Sequence, residues 1–466
     1  MTTQQHWLAG TDRGAMIDRL RAEVAGPVLV RGDDDYVAEV AAQNTAVVHT
    51  PEVVVGATSE ADAAAAVRAA KANGLPIRVF ATGHGSHKPV TDGLFVTTSR
   101  MCDLTIDAES RVAHIGAGCR WAKVVAEAAE LGLAPITGSS GHVGAVGYLL
   151  GGGLGPLSRT FGFSSDLARG FRVVTAAGEV VTANAIENSD LFWALRGGKG
   201  GFGIVTSMDV ELVELSTLYG GSLFFAAEHI ATVFRAWVDW TKTVPEAATS
   251  SVAIMRLPPL EFIPEPLRGK TVLSLRFAFV GDDDEGERLF QPLRDVAPAI
   301  IDAVGPLPAA QIGLIHNDPT DPGPVFERGR MLDVIDEKFA TVLLDAVGPE
   351  QAVPIMIVEV RHVGGATHRD VPEGSAVGGR CADYGLLMLG VPDPSLFEHV
   401  LPPLTHGILQ SLAPWIAAEN NINYAGGAQG PGSYEACWPP HILSRLAQVR
   451  AAYDPDGLFP FGHPHH

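Results

Sequence analysis

The chain has 466 residues, of which 46% are hydrophobic, enough at roughly 150 residues per unit for two or three domains with a sizeable core. Lys and Arg number 33 against 53 Asp and Glu, and the resulting net charge of −20 repels phosphate backbones and anionic lipid, so nucleic acid and membrane surfaces are not expected partners. No apolar run reaches the roughly 18–20 residues of a membrane helix, and residues 1–16 show no apolar stretch behind basic residues that would mark a secretory signal. Cys102, Cys119, Cys381 and Cys437 lie far apart with no CxxC pair, which argues against a zinc ribbon and a disulfide scaffold. A soluble cytoplasmic protein is expected, monomeric or homodimeric, holding no metal and acting on a small molecule.

In chain order, 53–55 is a short β-branched strand. Ser59, with Asp62 three residues on, opens an Ala-rich helix as a capping box. That helix should stop near Asn73 and Gly74, with Pro76 beyond. Strand 77–80 leads into the loop Ala81-Thr82-Gly83-His84-Gly85-Ser86-His87. Strands follow at 94–97 and 113–117, then a helix at 122–131 ended by Gly132. Segments 171–175 and 180–183 read as a hairpin, and 204–212 as another strand. From about residue 216 glycine thins out. Strands at 223–225, 251–255, 271–279, 355–361 and 384–389 alternate with helical stretches near 229–243, 285–297 and 394–411, which sum to an antiparallel sheet backed by helices. A last helix at 443–453 ends at Asp454-Pro455-Asp456-Gly457.

Glycine does the most sorting. Gly138, Gly141, Gly144, Gly147, Gly151, Gly152, Gly153 and Gly155 fall within one stretch, and Gly197, Gly198, Gly200, Gly201 and Gly203 within another. Glycine lets backbone approach a ligand closely, and the interleaved Val143, Val146, Tyr148, Leu149 and Leu150 mark the first stretch as ordered. Gly197-Gly198-Lys199-Gly200 lacks the Ser or Thr of a phosphate loop, and Gly151–Gly155 does not continue into GxGxxG. HExxH and GxSxG are absent. The terminal His463, His465 and His466 read as a tail rather than a metal site.

Loop 81–87, the glycine-rich 138–155, Trp193-Ala194-Leu195-Arg196-Gly197-Gly198 and Gly201-Phe202-Gly203-Ile204-Val205-Thr206 together resemble one family, and the closing Asn423-Tyr424 and Tyr453–Phe459 fit it. It is the vanillyl-alcohol oxidase and p-cresol methylhydroxylase (PCMH) type of flavoprotein, in its berberine bridge enzyme-like branch, with bacterial oxidase and drug-resistance members the most similar. The resemblance implies an α+β fold: a PCMH-type FAD-binding domain of two small α/β subdomains at 1–215, continued by 425–466, and a substrate domain at 216–424 with an antiparallel sheet covered by helices.

It also implies a flavin site. Ala81, Thr82, Gly83, His84, Gly85, Ser86 and His87 would grip the pyrophosphate and ribitol from one side. Gly138, Ser139, Ser140, Val143, Gly144, Gly147 and Gly153 would do so from the other, with Gly203, Ile204, Val205 and Asn423 completing the set. Backbone N–H groups in such turns form anion-binding concavities. His84 stands at the family's covalent attachment position, with His87 as a competitor. Ser140 occupies the place where some relatives carry a second attachment cysteine, so single attachment is expected. Phe80, Ala81 and Thr82 replace the family's arginine and glycines before the histidine.

The substrate side is less specified. Glu359 and Arg361 share one face of a strand and His362 the other, while Arg380 and Tyr384 stand where plant relatives have a His-Arg pair. The segment 384–388 lacks the carboxylate that those relatives use as base. Tyr384, Tyr424, Glu359 and His362 are the candidates for removing a proton as hydride leaves the substrate, and His316 and Asp318 could line the mouth. The expected activity is that of an FAD-dependent oxidase passing hydride from an alcohol, amine or secondary metabolite to flavin and then to O2. A flavin dehydrogenase or cyclase, and a non-catalytic drug-sequestering protein, are the alternatives.

Overall fold

The Ala-rich helix runs Glu60–Ala72 in the computed structural model, which describes residues 10–427 and 434–461. His463, His465 and His466 lie outside the described residues. Ser59 Oγ caps the helix by accepting from the Asp62 N–H at 3.2 Å. The expected capping box is only half formed, because the Asp62 carboxylate turns to the N–H groups of Ala25, Gly26 and Thr58 and to the Thr58 hydroxyl. Asp62 thereby pins the preceding loop to the helix start while itself 2% exposed.

This helix crosses between two parallel strands of a four-stranded sheet, ordered Val28–Val30, Val53–Gly56, Leu94–Thr97 and Ile77–Phe80. Val53, Val54 and Val55 are all fully buried, as a strand covered on both faces must be. A second sheet of five antiparallel strands is ordered Leu104–Asp107, Val112–Gly116, Ile204–Glu211, Ala168–Val174 and Val180–Asn184. Its last two strands form the expected hairpin.

The third sheet has eight strands and is antiparallel throughout. Its order is Ala299–Asp302, Thr217–Ala226, Thr271–Phe279, Ala248–Arg256, Ile355–His362, Tyr384–Gly390 and Glu327–Leu332, with Gly305–Pro308 also paired to Thr217–Ala226. Alternation gives it two unlike faces. Leu223, Leu275, Phe277, Val358, Val360, Leu386 and Met388 point into a core shared with the helices Ile230–Trp240, Asp283–Arg294, Glu337–Val347 and Leu401–Ser411. Ser251, Ser274, Arg276, Glu359 and Arg361 point the other way. The strands Val28–Val30, Leu104–Asp107, Ala299–Asp302, Gly305–Pro308 and Glu327–Leu332 were not expected from sequence. Nor is 394–411 one helix: a 3-10 turn at Pro394–Leu396 precedes the helix Leu401–Ser411.

The chain's end returns to its beginning. The helix Pro440–Tyr453 places Leu446 and Val449 in a core with Ile115, Trp121, Trp193 and Val210. The Ile77 N–H donates to the Leu458 carbonyl at 2.8 Å. On this pattern we propose a discontinuous first domain, 1–215 with 425–466, and a second at 216–424.

Candidate active site

Two glycine-bearing loops meet. Gly83 has φ +72, and a Cβ there would stand 2.8 Å from Ala42, so both conformation and crowding require glycine. The Ser86 N–H returns to the Gly83 carbonyl, whereas the N–H groups of Gly83, His84 and Gly85 find no backbone acceptor among the described residues. His84 Nε2 lies 3.2 Å from the His142 carbonyl and so carries the ring proton towards it. Burial pushes this imidazole down to about 4 against that bond's opposing pull, so the ring is neutral at physiological pH with a lone pair on Nδ1. Thr82 faces Gly144 across the gap, and Ser140 Oγ accepts from the His142 N–H at 3.4 Å. Ser139 and Val143 lie on the same loop, whose Val143 carbonyl accepts from Trp121.

Beside these loops is a half-buried charged group. Lys199 Nζ donates to the Gly147 carbonyl at 2.8 Å and to Asn423 Oδ1 at 2.7 Å. Asn423 Nδ2 in turn donates to the Tyr148 carbonyl at 2.8 Å. Glu327 Oε1 stands 3.3 Å from His87 Nε2. Burial pushes Lys199 down to about 8 and Glu327 up to about 7, each opposed by the other's charge. His87 falls to about 4 through burial, with Lys199 adding to it. Sequence reasoning treated Lys199 only as a failed phosphate loop and passed over Glu327. A lysine inside a glycine cluster was the available signal for the first; the second lies on a strand that sequence did not show.

The polar face of the large sheet carries the third group. Glu359 accepts from Ser251 Oγ at 2.7 Å, Arg276 at 2.8 Å and Arg361 at 2.9 Å, with His316 Nε2 at 3.3 Å. Burial raises this carboxyl, but Arg361 and Arg276 outweigh it and hold it well below the ordinary range. Tyr424 lies under Arg361, ring centre 5.8 Å from the guanidinium carbon. The hydroxyls of Tyr148 and Tyr424 are buried without a hydrogen-bond partner among the described residues. Burial lifts Tyr424 to about 12, opposed by Arg361. Gly153, at φ +84, lies against the Tyr148 ring, where a Cβ would be 2.5 Å away.

The four proton-transfer candidates are not brought together. Glu359 and Tyr424 share the polar face. Tyr384 faces the helices, its hydroxyl 2.8 Å from Thr241 Oγ1. His362 stacks on Tyr384 at 5.1 Å and has Nε2 2.9 Å from Arg159, placing both on the other side of the sheet. Ile204 and Val205 send their side chains into cores and pair with Val174 and Val173, and Gly203 at φ +134 abuts the Val174 carbonyl. Arg380 binds Asp166 and Ser375. His316 sits on Glu359, while the charge of Asp318 acts on His84.

Residues 51–184 match a family described as FAD binding domain. An FAD-linked oxidoreductase of Dictyostelium discoideum is 22% identical over 95% of both chains. The (R)-6-hydroxynicotine oxidase of Paenarthrobacter nicotinovorans is 38% identical over 35% of this chain, a stretch covering 36% of that enzyme. The crystal structure of 6-hydroxy-D-nicotine oxidase from Arthrobacter nicotinovorans superposes with a TM-score of 0.81 at 24% identity, over 94% of this chain and 96% of that one. Among the described residues, no helix is long and apolar enough to cross a membrane.

Proposed function

We propose that the chain is an FAD-linked oxidoreductase of the vanillyl-alcohol oxidase and PCMH type, and that it is an oxidase of a small organic alcohol, amine or secondary metabolite with dioxygen as acceptor. The residues fit the cofactor: the Gly83–Gly85 N–H groups are free to meet a pyrophosphate, and the Tyr148 and Tyr424 hydroxyls await partners at the polar sheet face. FAD supplies the hydride acceptor when bound. The observation that carries the reading is this pairing of two facing loops with a buried polar sheet.

His84 is assigned as the single covalent attachment, through the Nδ1 lone pair left by its bond to His142; Ser140 offers only a hydroxyl, so no second bond is assigned. Glu359, held by two guanidiniums, is a fixed anion and a weak proton acceptor. Tyr424, raised by burial to about 12, is a neutral phenol and is assigned as a hydrogen-bond donor to the substrate on the polar face rather than as its base; Tyr384 and His362 lie on the helix side of the sheet, bonded to Thr241 and beside Arg159.

The test is an absorption spectrum of the purified protein before and after acid precipitation. Flavin bands should stay with the pellet, and in His84→Ala they should move to the supernatant. After chemical reduction, mixing with air should restore the oxidised spectrum with one peroxide per flavin. Slow reoxidation without peroxide would refute the oxidase reading, and a colourless protein that FAD cannot reconstitute would refute flavin binding as well.

A further inference from the structure

Five side chains, Arg276, Glu359, Arg361, His316 and Tyr424, form a buried group on the polar face of the large sheet. The side chains of Arg276, Glu359 and His316 are 5–6% exposed and that of Arg361 is 10% exposed. Their charges do not cancel. Burial and the neighbouring guanidinium of Arg276 keep His316 neutral despite Glu359, and Tyr148 and Tyr424 are both shifted up by burial, so they too stay uncharged. Two guanidiniums therefore face one carboxylate, an arrangement that leaves a net positive charge out of water.

Such a charge is costly unless something completes it. Glu359 satisfies only part of each fork. Arg276 gives it one terminal nitrogen and Arg361 another, while Nε of both guanidiniums has no hydrogen-bond partner among the described residues. Arg361 Nη1 reaches only the Leu154 carbonyl, at 3.4 Å. Unused N–H groups on Arg are suited to a planar anion. The side chains of Arg276 and Arg361 stand, with those of Ser251 and His316, among the residues around a cavity of about 10 Å³, about the volume that holds one water. The Tyr424 hydroxyl, unpaired on the same face, is a further donor.

We infer that the substrate carries a carboxylate, and that Arg276 and Arg361 bind it on the polar face of the large sheet. The inference rests on the oxidase reading for the word substrate, and it narrows that reading from any alcohol or amine to one bearing an acid group. Glu359 then holds one terminal nitrogen of each guanidinium and offsets only one of their two charges. The specificity is for charge, since an amide of equal shape would leave one buried cation uncompensated.

The experiment compares acetate with acetamide by calorimetric titration of the flavin-loaded protein. Acetate should bind at least about ten-fold more tightly. Arg361→Met should abolish the preference. Should that variant not fold, Glu359→Gln gives the opposite sign: removing the competing anion should tighten acetate binding by about ten-fold or more. Equal binding of the two probes, or weaker acetate binding in Glu359→Gln, would overturn the inference. The flavin absorbance and air reoxidation of the same sample report on the oxidase reading separately. Equal binding in a yellow, reoxidising protein discards the carboxylate alone.

Discussion

Glu327 is a carboxyl with the neutral His87 ring 3.3 Å away and Lys199 as the cation that acts on it, its side chain 23% exposed. Burial lifts it from 4.5 to about 7 even though Lys199 pulls the other way. Between those values the native state binds more protons than the unfolded chain, so stability falls as pH rises through that window. The cost is absent below pH 4.5 and complete above pH 7. Lys199 works in the opposite sense: lowered from 10.5 to about 8, it costs stability below pH 8, and stability recovers as the unfolded lysine loses its proton towards pH 10.5. Glu327→Gln mimics the protonated acid. It should be more stable than the wild type by roughly 3 kcal/mol at pH 8, a shift of about two and a half units at 1.36 kcal/mol each, with the gain vanishing near pH 4.5. Urea unfolding at both pH values measures this, and a gain that did not change with pH would show that the carboxyl titrates normally.

At the helix Glu60–Ala72, two neighbouring polar residues carry unequal shares. Ser59 makes a single capping bond, to the Asp62 N–H, so Ser59→Ala should cost about 1 kcal/mol. Asp62 accepts from three backbone N–H groups and one hydroxyl, and Asp62→Ala would strand those buried donors at roughly 3 kcal/mol or more. Thermal unfolding of the two variants checks the order, and equal losses would mean that the Asp62 bonds are replaced by water. Ser59 was legible in the sequence because a cap is a local matter; the reach of Asp62 to Ala25 and Gly26 was not, because that contact is set by tertiary structure. The same division runs through the rest. Strands with β-branched runs, such as 271–279 and 355–361, were visible from their own residues. Glu327–Leu332, carrying charges at Glu327, Arg328 and Arg330, was not; it is a strand because Tyr384–Gly390 pairs with it residue for residue. Alternation placed Glu359 with Arg361 and away from His362, but could not say that Tyr384 turns to Thr241 on the helix side, since that depends on the register of a neighbouring strand. His84 stands in a motif readable from its own neighbours, whereas Lys199 meets Asn423 across more than two hundred residues of chain.

The whole molecule is closed by its C-terminus. Leu446 is fully buried, and its Cδ2 would lie 2.5 Å from a Cβ on Gly198, so the last helix supports the glycine cluster that carries Lys199. Arg450 adds bonds to the Gly198 and Gly200 carbonyls at 3.2 and 3.1 Å. Among the described residues, the core of the large sheet draws its buried side chains from 219 to 415. If the first domain is completed by the C-terminal segment, damage there should be felt at the flavin and not at the large sheet. Leu446→Ala removes a buried side chain at a cost of about 2–5 kcal/mol. It should lower the temperature at which flavin fluorescence rises, while Trp237, which lies between the Ile230–Trp240 helix and the large sheet, keeps its own transition. Both signals moving down together would show that the two units unfold as one, and the proposed division at residues 215 and 425 would then mark a change of topology without a boundary in stability.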